Sequence, residues 1–557
     1  MQAFEPLTIP LYRRLWATSV VFGVGHTLQV VAGNWLMLEL TGNPLWVALM
    51  VASPHLPLLL LAIPSGAMSD IVDRRRVLML SATLMAISAV GMATLHRLEL
   101  LTAGRLLALG IVLGVGIAFY VPAWQATVPN LVPRELVPRA VSLNSASGAV
   151  AMAVGPGLGG TLLARFGFGV PATVAAGGYV VLLLSVLGVR GVRWRDDAGA
   201  GMVTAMATGL RYVRFSAGYR WLLLVTAGFG ASSAALRALL PSVTSDRLGS
   251  GAGTYGALLA AMGVGALAGA LLREQAHTRL GRRLVPLAIA AYGVAGIVVG
   301  LSTTIVTTAL VMVLAGVAWT WTLATLNSVM QELAPAWVRG RAMSVYVLAL
   351  FGLVPIGTVV AGWLGEVLGA DGALVISSGM VLALAVVAIR RPIVDPADLP
   401  APDPVGTRPD VGHPTVRSDE RVMVATVWTV DRDHLVDFAT AMEEMRRVRM
   451  RTGAFRWTLY RDVVDPLKFT EVFEVHTWEQ HLQQHERLDA NAIETIQHAV
   501  SFDVGGGPRS VHLVGVDALG VMAEGWSSAD LAEHDQLHQR DGSITVGEDP
   551  AVSRPPT

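Results

Sequence analysis

The sequence predicts an all-α polytopic membrane protein of twelve transmembrane helices in two six-helix halves, followed by a small α+β cytoplasmic domain. Three observations predict this fold class. Up to residue 391 of 557, long apolar runs alternate with short charged loops, and the whole chain is 53% hydrophobic with a mean hydropathy of +0.55. Short segments of the first half recur in the second. Beyond residue 391 the charge density rises to that of a soluble protein.

The membrane part is defined by apolar runs of roughly 20 residues, the length that one helix needs to cross the hydrocarbon core. Twelve such runs precede residue 391. They lie near residues 15–41, 44–69, 77–96, 100–128, 140–165, 170–190, 217–245, 253–272, 284–301, 304–332, 342–368 and 371–389.

The placement of arginine predicts the orientation of these helices. Alternate loops carry twenty Arg residues, whereas the remaining loops carry only Arg97, Arg105, Arg165 and Arg247. Because cytoplasmic loops hold the excess of positive charge, we predict a multi-pass protein of the plasma (inner) membrane with both termini cytoplasmic. Two cytoplasmic termini require an even number of spans, in agreement with twelve.

The two halves, about residues 1–195 and 215–391, carry matching segments at an offset of 202 residues. Parallel repeats of this kind place a substrate site between the halves. The matching pairs are Leu131 with Leu333, Pro133 with Pro335, Arg139 with Arg341, Gly160 with Gly362, and Gln125 with Asn327.

After the membrane domain at 1–395, residues 396–420 are rich in Pro and Asp and are predicted to be a linker. Alternating and amphipathic segments in 421–516 predict the order β-α-β-β-α-β, a ferredoxin-like soluble domain. The polar tail at 517–557 is predicted to be disordered.

Composition excludes several functions. The chain has no Cys, which rules out disulfides, thiolate nucleophiles and Cys-based zinc sites. No basic patch is interleaved with aromatic residues, so no nucleic acid is expected. His476, His481 and His485 have no nearby carboxylate that completes a recognisable set of ligands, so neither a metal nor a cofactor is predicted.

A charged hairpin, GAMSDIVDRRR, begins at Gly66 between the second and third runs, and a weaker echo, RLGRR, begins at Arg279. Residues 1–391 resemble the major facilitator superfamily, in particular the branch of bacterial exporters that includes the enterobactin exporter, the transmembrane secretion effectors. The superfamily pattern G-x-x-x-D-R-x-G-R-[KR] is matched in part, with Ile71 and Asp73 as departures. The predicted cytoplasmic gate comprises Gly66, Asp70, Asp73, Arg74, Arg75, Arg282 and Arg283. The alternative is that these Arg residues only follow the inside-positive rule.

The fifth run contains a glycine-rich segment that resembles the superfamily's antiporter motif, with Ala151 in place of the first Gly. The resemblance implies exchange of substrate for protons, and the glycines predict close helix packing, with a small-residue face on the eighth run as partner. The motif residues are Gly155, Pro156, Gly159 and Gly160, and the facing residues are Gly256, Gly263, Gly265 and Gly269.

Polar side chains inside spans are costly and are usually functional. Those predicted to line a substrate cavity, with the aromatic residues near them, are His26, Gln29, Asn34, Tyr120, Trp124, Gln125, Arg237 and Asn327. For each polar residue the alternative is a hydrogen bond between helices. Glu39 and His26 are the candidates for proton coupling, and His55 is a further titratable group. An aromatic cavity with few charges suits an amphipathic or aromatic substrate.

Residues 421–516 resemble the antibiotic-biosynthesis-monooxygenase-like family of dimeric α/β barrels, which implies a homodimer or a regulatory role. The prediction for the whole chain is a secondary active transporter, not an enzyme, that exports a small organic molecule (drug, siderophore or metabolite) in exchange for protons by alternating access. An importer or uniporter remains open within this class. The alternative class is a membrane-anchored enzyme or sensor that acts through 421–516.

Overall fold

The structure is a computed structural model that describes residues 2–61, 73–188, 202–335, 337–394, 406 and 421–514. Most of the predicted linker and the whole predicted tail lie outside the described residues. The chain divides into two compact units. The first comprises Met1–Met202, Trp221–Ser328 and Ser344–Ile393, and the second comprises Val203–Arg220, Val329–Met343 and Val394–Thr557.

Up to residue 394 the described chain is helical. The helices are α1 (Pro10–Thr41), α2 (Pro44–Ala52), α3 (His55–Leu61), α4 (Arg74–Arg97), α5 (Ala103–Thr127), α6 (Val137–Phe166), α7 (Gly169–Leu187), α8 (Met202–Phe215), α9 (Ala217–Ser242), α10 (Ala252–Leu280), α11 (Leu284–Leu301), α12 (Ile305–Leu333), α13 (Arg339–Gly352) and α14 (Val354–Arg390).

Local sequence accounts for several helix ends. Helix α1 ends at Gly42, whose positive φ of 59° lets its N–H bond the Leu38 carbonyl. The Asn43 side chain then caps α2 by accepting a hydrogen bond from the Leu45 N–H at 2.8 Å. The Thr102 side chain caps α5 in the same way.

Nine helical stretches in the described part are long and apolar enough to cross a membrane, or ten when the pair α2 and α3, bent by 41°, counts as one crossing. Two stretches, Ala252–Leu301 and Arg339–Arg390, contain 50 and 52 residues. At 1.5 Å per residue each would extend about 75 Å, more than twice the hydrocarbon thickness. Gly281, with φ 50°, interrupts the first, and Gly369, with φ 79°, interrupts the second.

Two helix pairs contribute to the contact between the two predicted halves. Helix α6 of the first half packs against α10 of the second, and α2 of the first half packs against α14 of the second. Helix α8 was not predicted, because the sequence between the sixth and seventh runs was interpreted as a loop. It is short and carries Arg211 and Arg214.

The C-terminal part contains the strands β1 (Val422–Thr429), β2 (Arg456–Arg461), β3 (Lys468–Val475) and β4 (Arg509–Val514) and the helices α15 (Leu435–Thr452), α16 (Trp478–Glu486) and α17 (Ala490–Val500). The sheet order is β2-β3-β1-β4, and every neighbouring pair is antiparallel. On β1, Val424 and Trp428 are buried while Met423 and Val427 are exposed, so the helices cover one face only. The strands and helices predicted from alternation are confirmed to within a few residues.

Candidate functional site

The predicted gate is described only in part, since Gly66 and Asp70 lie outside the described residues. Asp73 caps α4, where its side chain accepts a hydrogen bond from the Arg75 N–H at 2.8 Å. The Arg75 side chain donates to the carbonyls of Val186 at 3.3 Å and Leu187 at 2.6 Å. It therefore places a cation at the C-terminus of α7, where the helix dipole is negative.

The other predicted gate arginines have different surroundings. Arg74 is buried at the first turn of α4. Arg282 and Arg283 are exposed in a single 3₁₀ turn between α10 and α11.

The glycine-rich segment of α6 contacts two helices. A Cβ on Gly155 would overlap the Thr27 hydroxyl of α1, and a Cβ on Gly159 would lie 3.2 Å from the Leu28 Cα. On the other side, a Cβ on Gly160 would lie 2.7 Å from the Gly256 Cα of α10. The motif therefore joins α1 and α6 of the first half to α10 of the second.

The predicted partner face on α10 divides between two neighbours. Gly256 and Gly263 approach α6, where a Cβ on Gly263 would lie 2.7 Å from the Ala153 Cα. Gly265 and Gly269 approach α12 instead, and a Cβ on Gly269 would lie 3.0 Å from the Val317 Cα. The four glycines are thus not one face.

Gln29 is 1% exposed and bridges three helices of the first half. Its carbonyl oxygen accepts a hydrogen bond from the Tyr179 hydroxyl of α7 at 2.7 Å, and its amide donates to the Ser88 hydroxyl of α4 at 3.2 Å. His26 Nδ1 lies 3.5 Å from the same Tyr179 hydroxyl. His26 and Gln29 therefore share one polar cluster.

Aromatic rings extend this cluster. Phe22 lies between His26, at 6.2 Å between ring centroids, and Tyr120, at 4.5 Å. Tyr120 stacks on Trp124 at 5.9 Å with an interplanar angle of 11°. The Trp124 N–H donates to the Asn144 side chain at 2.7 Å. Gln125 is exposed.

A second polar group involves helices of the second half. The Arg237 guanidinium of α9 lies 5.5 Å from the ring centroid of Trp319 on α12, and both side chains are half-buried. Asn34 of α1 donates to the Tyr255 hydroxyl of α10 at 3.4 Å. Asn327, half-buried, lies eight residues after Trp319 on α12.

His55 of α3 connects the two groups. It interacts electrostatically with His26 of α1 and with Arg237 of α9. Arg237 also interacts with the Tyr255 and Tyr292 hydroxyls of α10 and α11. Electrostatic interactions through His55 therefore link His26 of the first half to Arg237 of the second.

Glu39 lies apart from this cluster. It is exposed near the end of α1 and accepts a hydrogen bond from the Trp35 N–H at 2.7 Å. Thirteen residues separate it from His26 on the same helix, which is about 20 Å along the axis.

Sequence reasoning missed the tyrosines that organise the cluster, namely Tyr179, Tyr255 and Tyr292. Each is buried in an apolar helix. A signal was present, since a buried Tyr hydroxyl needs a hydrogen-bond partner and therefore indicates polar neighbours.

In the C-terminal domain, His481 lies 4.9 Å from His485 and 4.8 Å from His512 between ring centroids. His476 instead stacks on Phe455 at 4.2 Å. Among the described residues, no group of three or more His, Cys, Asp or Glu side chains is arranged to hold a metal ion.

Comparison with known proteins identifies transporters throughout. Residues 1–518 match the family described as transmembrane secretion effector. The multidrug efflux pump Tap of Mycolicibacterium fortuitum is 28% identical over 406 residues, 71% of this chain and 97% of that protein. The pump of the same name from Mycobacterium tuberculosis is 26% identical over 410 residues, 70% of this chain and 95% of that protein.

Solved structures share the fold. The D-xylose-proton symporter has a TM-score of 0.56 at 14% identity and covers 70% of this chain and 99% of its own. The nucleoside transporter NupG has a TM-score of 0.56 at 14% identity and covers 68% of this chain and 98% of its own. Family, relatives and fold agree: the chain belongs to the transmembrane secretion effector family of the major facilitator superfamily and is a multi-pass membrane transporter, not an enzyme.

Proposed function

We propose that the protein exports a small organic molecule, such as a drug, siderophore or metabolite, in exchange for protons by alternating access. The observation that carries the proposal is the cluster of His26, His55 and Arg237, which joins polar side chains of both halves and is bordered by aromatic rings. A site between two repeats can face each side of the membrane in turn when the repeats rock against each other. The similarity to multidrug efflux pumps supports the outward direction.

The proposed topology has twelve spans, both termini in the cytoplasm, and a location in the plasma (inner) membrane. Ten crossings result when α2 and α3 form one span. The two longest stretches each break at a glycine of positive φ, and dividing both of them gives twelve. The bias of arginine toward one set of loops supports the orientation.

The gate is proposed to centre on Asp70 in the first half. A few residues later in the sequence, Asp73 caps α4 and Arg75 binds the end of α7. The second copy of the hairpin has Thr278 where the Asp would lie, and it keeps Gly281, Arg282 and Arg283 of the pattern. We propose that the two halves gate unequally, with the first half carrying most of the switch.

Proton coupling is proposed to use Glu39 or His26. His26 is itself a member of the cluster, and its Nδ1 atom lies 3.5 Å from the Tyr179 hydroxyl. Glu39 is exposed at the end of α1, where it can exchange protons with water. In proton exchange by alternating access, the proton and the substrate bind in turn and compete for one site. This requirement favours His26, because His26 lies in the proposed substrate site whereas Glu39 lies apart from it.

The C-terminal domain is proposed to be a ferredoxin-like module of the monooxygenase-like type that pairs with a second copy through its uncovered sheet face. The strand order and the helix positions support the fold. The face presents the exposed apolar side chains Met423, Val427, Tyr460, Val511 and Leu513. Exposed apolar patches of this kind mark interaction sites.

The export proposal is tested by accumulation of a panel of fluorescent compounds in cells with and without a protonophore. We expect at least one compound to accumulate less in expressing cells, and the protonophore to remove the difference. The variants His26→Gln and Glu39→Gln then identify the coupling residue in energised inverted vesicles. Glu366→Gln is the matched control, because Glu366 also lies in a membrane stretch and accepts a hydrogen bond, from Asn43. Equal accumulation of every compound in both conditions contradicts proton-driven export.

A further inference from the structure

We propose that the transported molecule is an amphipathic organic anion, in which a carboxylate, phosphate, sulfonate or phenolate group binds Arg237 and an aromatic body lies among the rings beside it. This inference rests on the proposed export function and specifies the substrate class of the same site. It begins from Arg237 itself. This residue lies 20 residues after the start of α9, about 30 Å along the helix.

A charged side chain inside a membrane span is costly unless it has a partner or serves the transported molecule. In the part of the chain that the structure describes, no carboxylate forms an ion pair with Arg237 and no acceptor takes a hydrogen bond from it. Its neighbours are the Trp319 ring, the His55 imidazole and the hydroxyls of Tyr255 and Tyr292. None of these groups is an anion at neutral pH.

The geometry leaves the guanidinium able to bind a ligand. The Arg237 Cζ atom lies 5.5 Å from the centroid of the Trp319 ring, and this cation–π contact uses none of the N–H donors in a hydrogen bond. The donor edge of a guanidinium matches the two oxygens of a carboxylate or phosphate in a bidentate hydrogen bond. An anion bound there would also offset the positive charge of Arg237 within the membrane span.

The neighbouring groups add selectivity. His55 of the first half interacts with Arg237, and an imidazole is neutral or positive, so it does not repel an anion. Arg237 would repel a cationic compound, and the described residues of the cluster include no carboxylate that would attract one. The Trp319 ring supplies an apolar surface beside Arg237 for the organic body of the substrate.

The test uses two dyes with the same ring system and opposite charge, fluorescein and rhodamine 123, with the full-length purified protein. Binding is followed by fluorescence anisotropy in detergent, which does not depend on a proton gradient, and transport is followed in proteoliposomes. We expect fluorescein to bind at least about tenfold more tightly than rhodamine 123, as one charge-assisted hydrogen-bonded pair implies. Arg237→Gln should abolish this preference, and Arg237→Lys should retain part of it.

Arg220→Gln is the matched control, because Arg220 is an exposed arginine on the same helix. Equal binding of both dyes, or an equal loss of both in Arg237→Gln, overturns the inference about charge even if export is observed. Charge-selective binding without any gradient-driven transport would support the site and contradict the export proposal. The two failures are therefore distinguishable.

A second inference concerns contacts within the second compact unit. Arg211 of α8 donates to the carbonyls of Gly453 at 3.2 Å and Ala454 at 2.9 Å, the two residues that follow α15. The Arg487 guanidinium lies 4.4 Å from the ring centroid of Trp337 and donates to the Thr452 carbonyl at 3.0 Å. The C-terminal end of α15 is therefore held by two arginines.

The segments held in this way lead into membrane helices. Only Ser216 separates α8 from α9, and Trp337 lies between α12 and α13. Tyr212 of α8 packs edge-on against Trp337 at 5.6 Å, which joins the two segments. Burial, and then the charge of Arg341, lower the pKa of Arg487 to about 10, so its side chain is still charged at neutral pH.

We infer that the C-terminal domain is an autoinhibitory clamp on the connections α8–α9 and α12–α13. Contacts that form in only one conformation stabilise that conformation and slow the step that leaves it. Removal of these contacts should therefore speed the transport cycle. Trp337→Ala and Arg211→Ala are expected to raise the rate of dye transport in proteoliposomes severalfold. Arg214→Ala is the control, since Arg214 is exposed on α8 and its guanidinium lies 5.8 Å from the centroid of the neighbouring Phe215 ring.

Unchanged rates in Trp337→Ala and Arg211→Ala would overturn the clamp, as would a lower rate in these variants with normal amounts of folded protein.

Discussion

At the scale of single residues, the polar side chains of the membrane helices fall into two kinds. Gln29 makes hydrogen bonds with Tyr179 and Ser88 and so connects three helices. Arg237 has a cation–π contact with Trp319 but no hydrogen-bond acceptor among the described residues. The first kind holds helices together, while the second is the kind that we propose binds the substrate. Sequence alone could not separate them, because the difference lies in which side chains the neighbouring helices present.

His481 provides a prediction about pH in the C-terminal domain. It is 3% exposed, and its Nδ1 has no hydrogen-bond partner in the described structure. Burial, followed by the charges of His485, His512 and Arg449, lowers the pKa of His481 to about 2. In the unfolded chain the His481 imidazole binds a proton near pH 6.5, whereas in the folded domain it stays neutral at that pH. The free energy of unfolding is therefore highest above pH 6.5 and decreases as the pH falls below it. The slope is about 1.4 kcal/mol per pH unit below 6.5.

The measurement is hydrogen exchange of the α16 backbone amides in the full-length protein between pH 7.5 and 5.5, corrected for the intrinsic exchange rates. We expect the free energy of opening to fall with pH in the native protein and to fall less steeply in His481→Phe. His434→Phe is the control, because His434 is exposed. An unchanged slope in His481→Phe would show that other groups take up the proton.

At the scale of elements, α6 contains one glycine in close contact with a neighbouring helix, Gly160, and one with open space beside it, Gly148. Substitution of each by Ala gives a matched pair of variants. A Cβ on Gly160 would lie 2.7 Å from both the Ala252 carbonyl oxygen and the Gly256 Cα, so backbone must move. A Cβ on Gly148 would meet nothing within 4 Å. We expect Gly160→Ala to destabilise the protein by about 1–3 kcal/mol through overpacking. Gly148→Ala should be neutral or stabilising by up to about 1 kcal/mol, since Ala favours a helix.

Thermal unfolding in detergent, read by the loss of monodisperse protein, gives the order of the two variants. The prediction fails if Gly148→Ala is the less stable one. We also expect Gly160→Ala to lower the transport rate at temperatures where the variant is still folded. The reason is that the contact of Gly160 with α10 joins the two halves.

The elements themselves were predictable to different degrees. Apolar runs locate most membrane helices, because a span needs a fixed length of apolar residues. They did not predict the 41° bend between α2 and α3, which follows Ser53 and Pro54. They also missed α8, which is too short and too basic to resemble a span. The alternation of apolar residues identified the strands of the C-terminal domain, because a sheet covered on one face imposes a period of two.

At the scale of the whole molecule, residues that match between the two halves in sequence also make equivalent contacts with the opposite half. Gly160 and Gly362 are 202 residues apart and match between the halves. Gly160 packs against α10 of the second half, and Gly362 packs against α2 of the first, where its Cβ would lie 3.0 Å from the Leu45 Cα. Each half therefore uses the equivalent glycine to contact the other. Sequence comparison could identify the pair but not its partners, which depend on the arrangement of all helices.

The contact between α6 and α10 allows alternating access to be tested directly. Ala164 Cβ lies 3.5 Å from the position of a Cβ on Gly253, within the range of a disulfide. Both residues are accessible to oxidant, and the chain has no native Cys to interfere. In the double variant Ala164→Cys and Gly253→Cys, oxidation should join the halves at this contact. If the halves must separate here in each cycle, oxidation stops transport in proteoliposomes and a reductant restores it, while both single-Cys variants stay active. Full cross-linking with undiminished transport would instead require that α6 and α10 move as one body throughout the cycle.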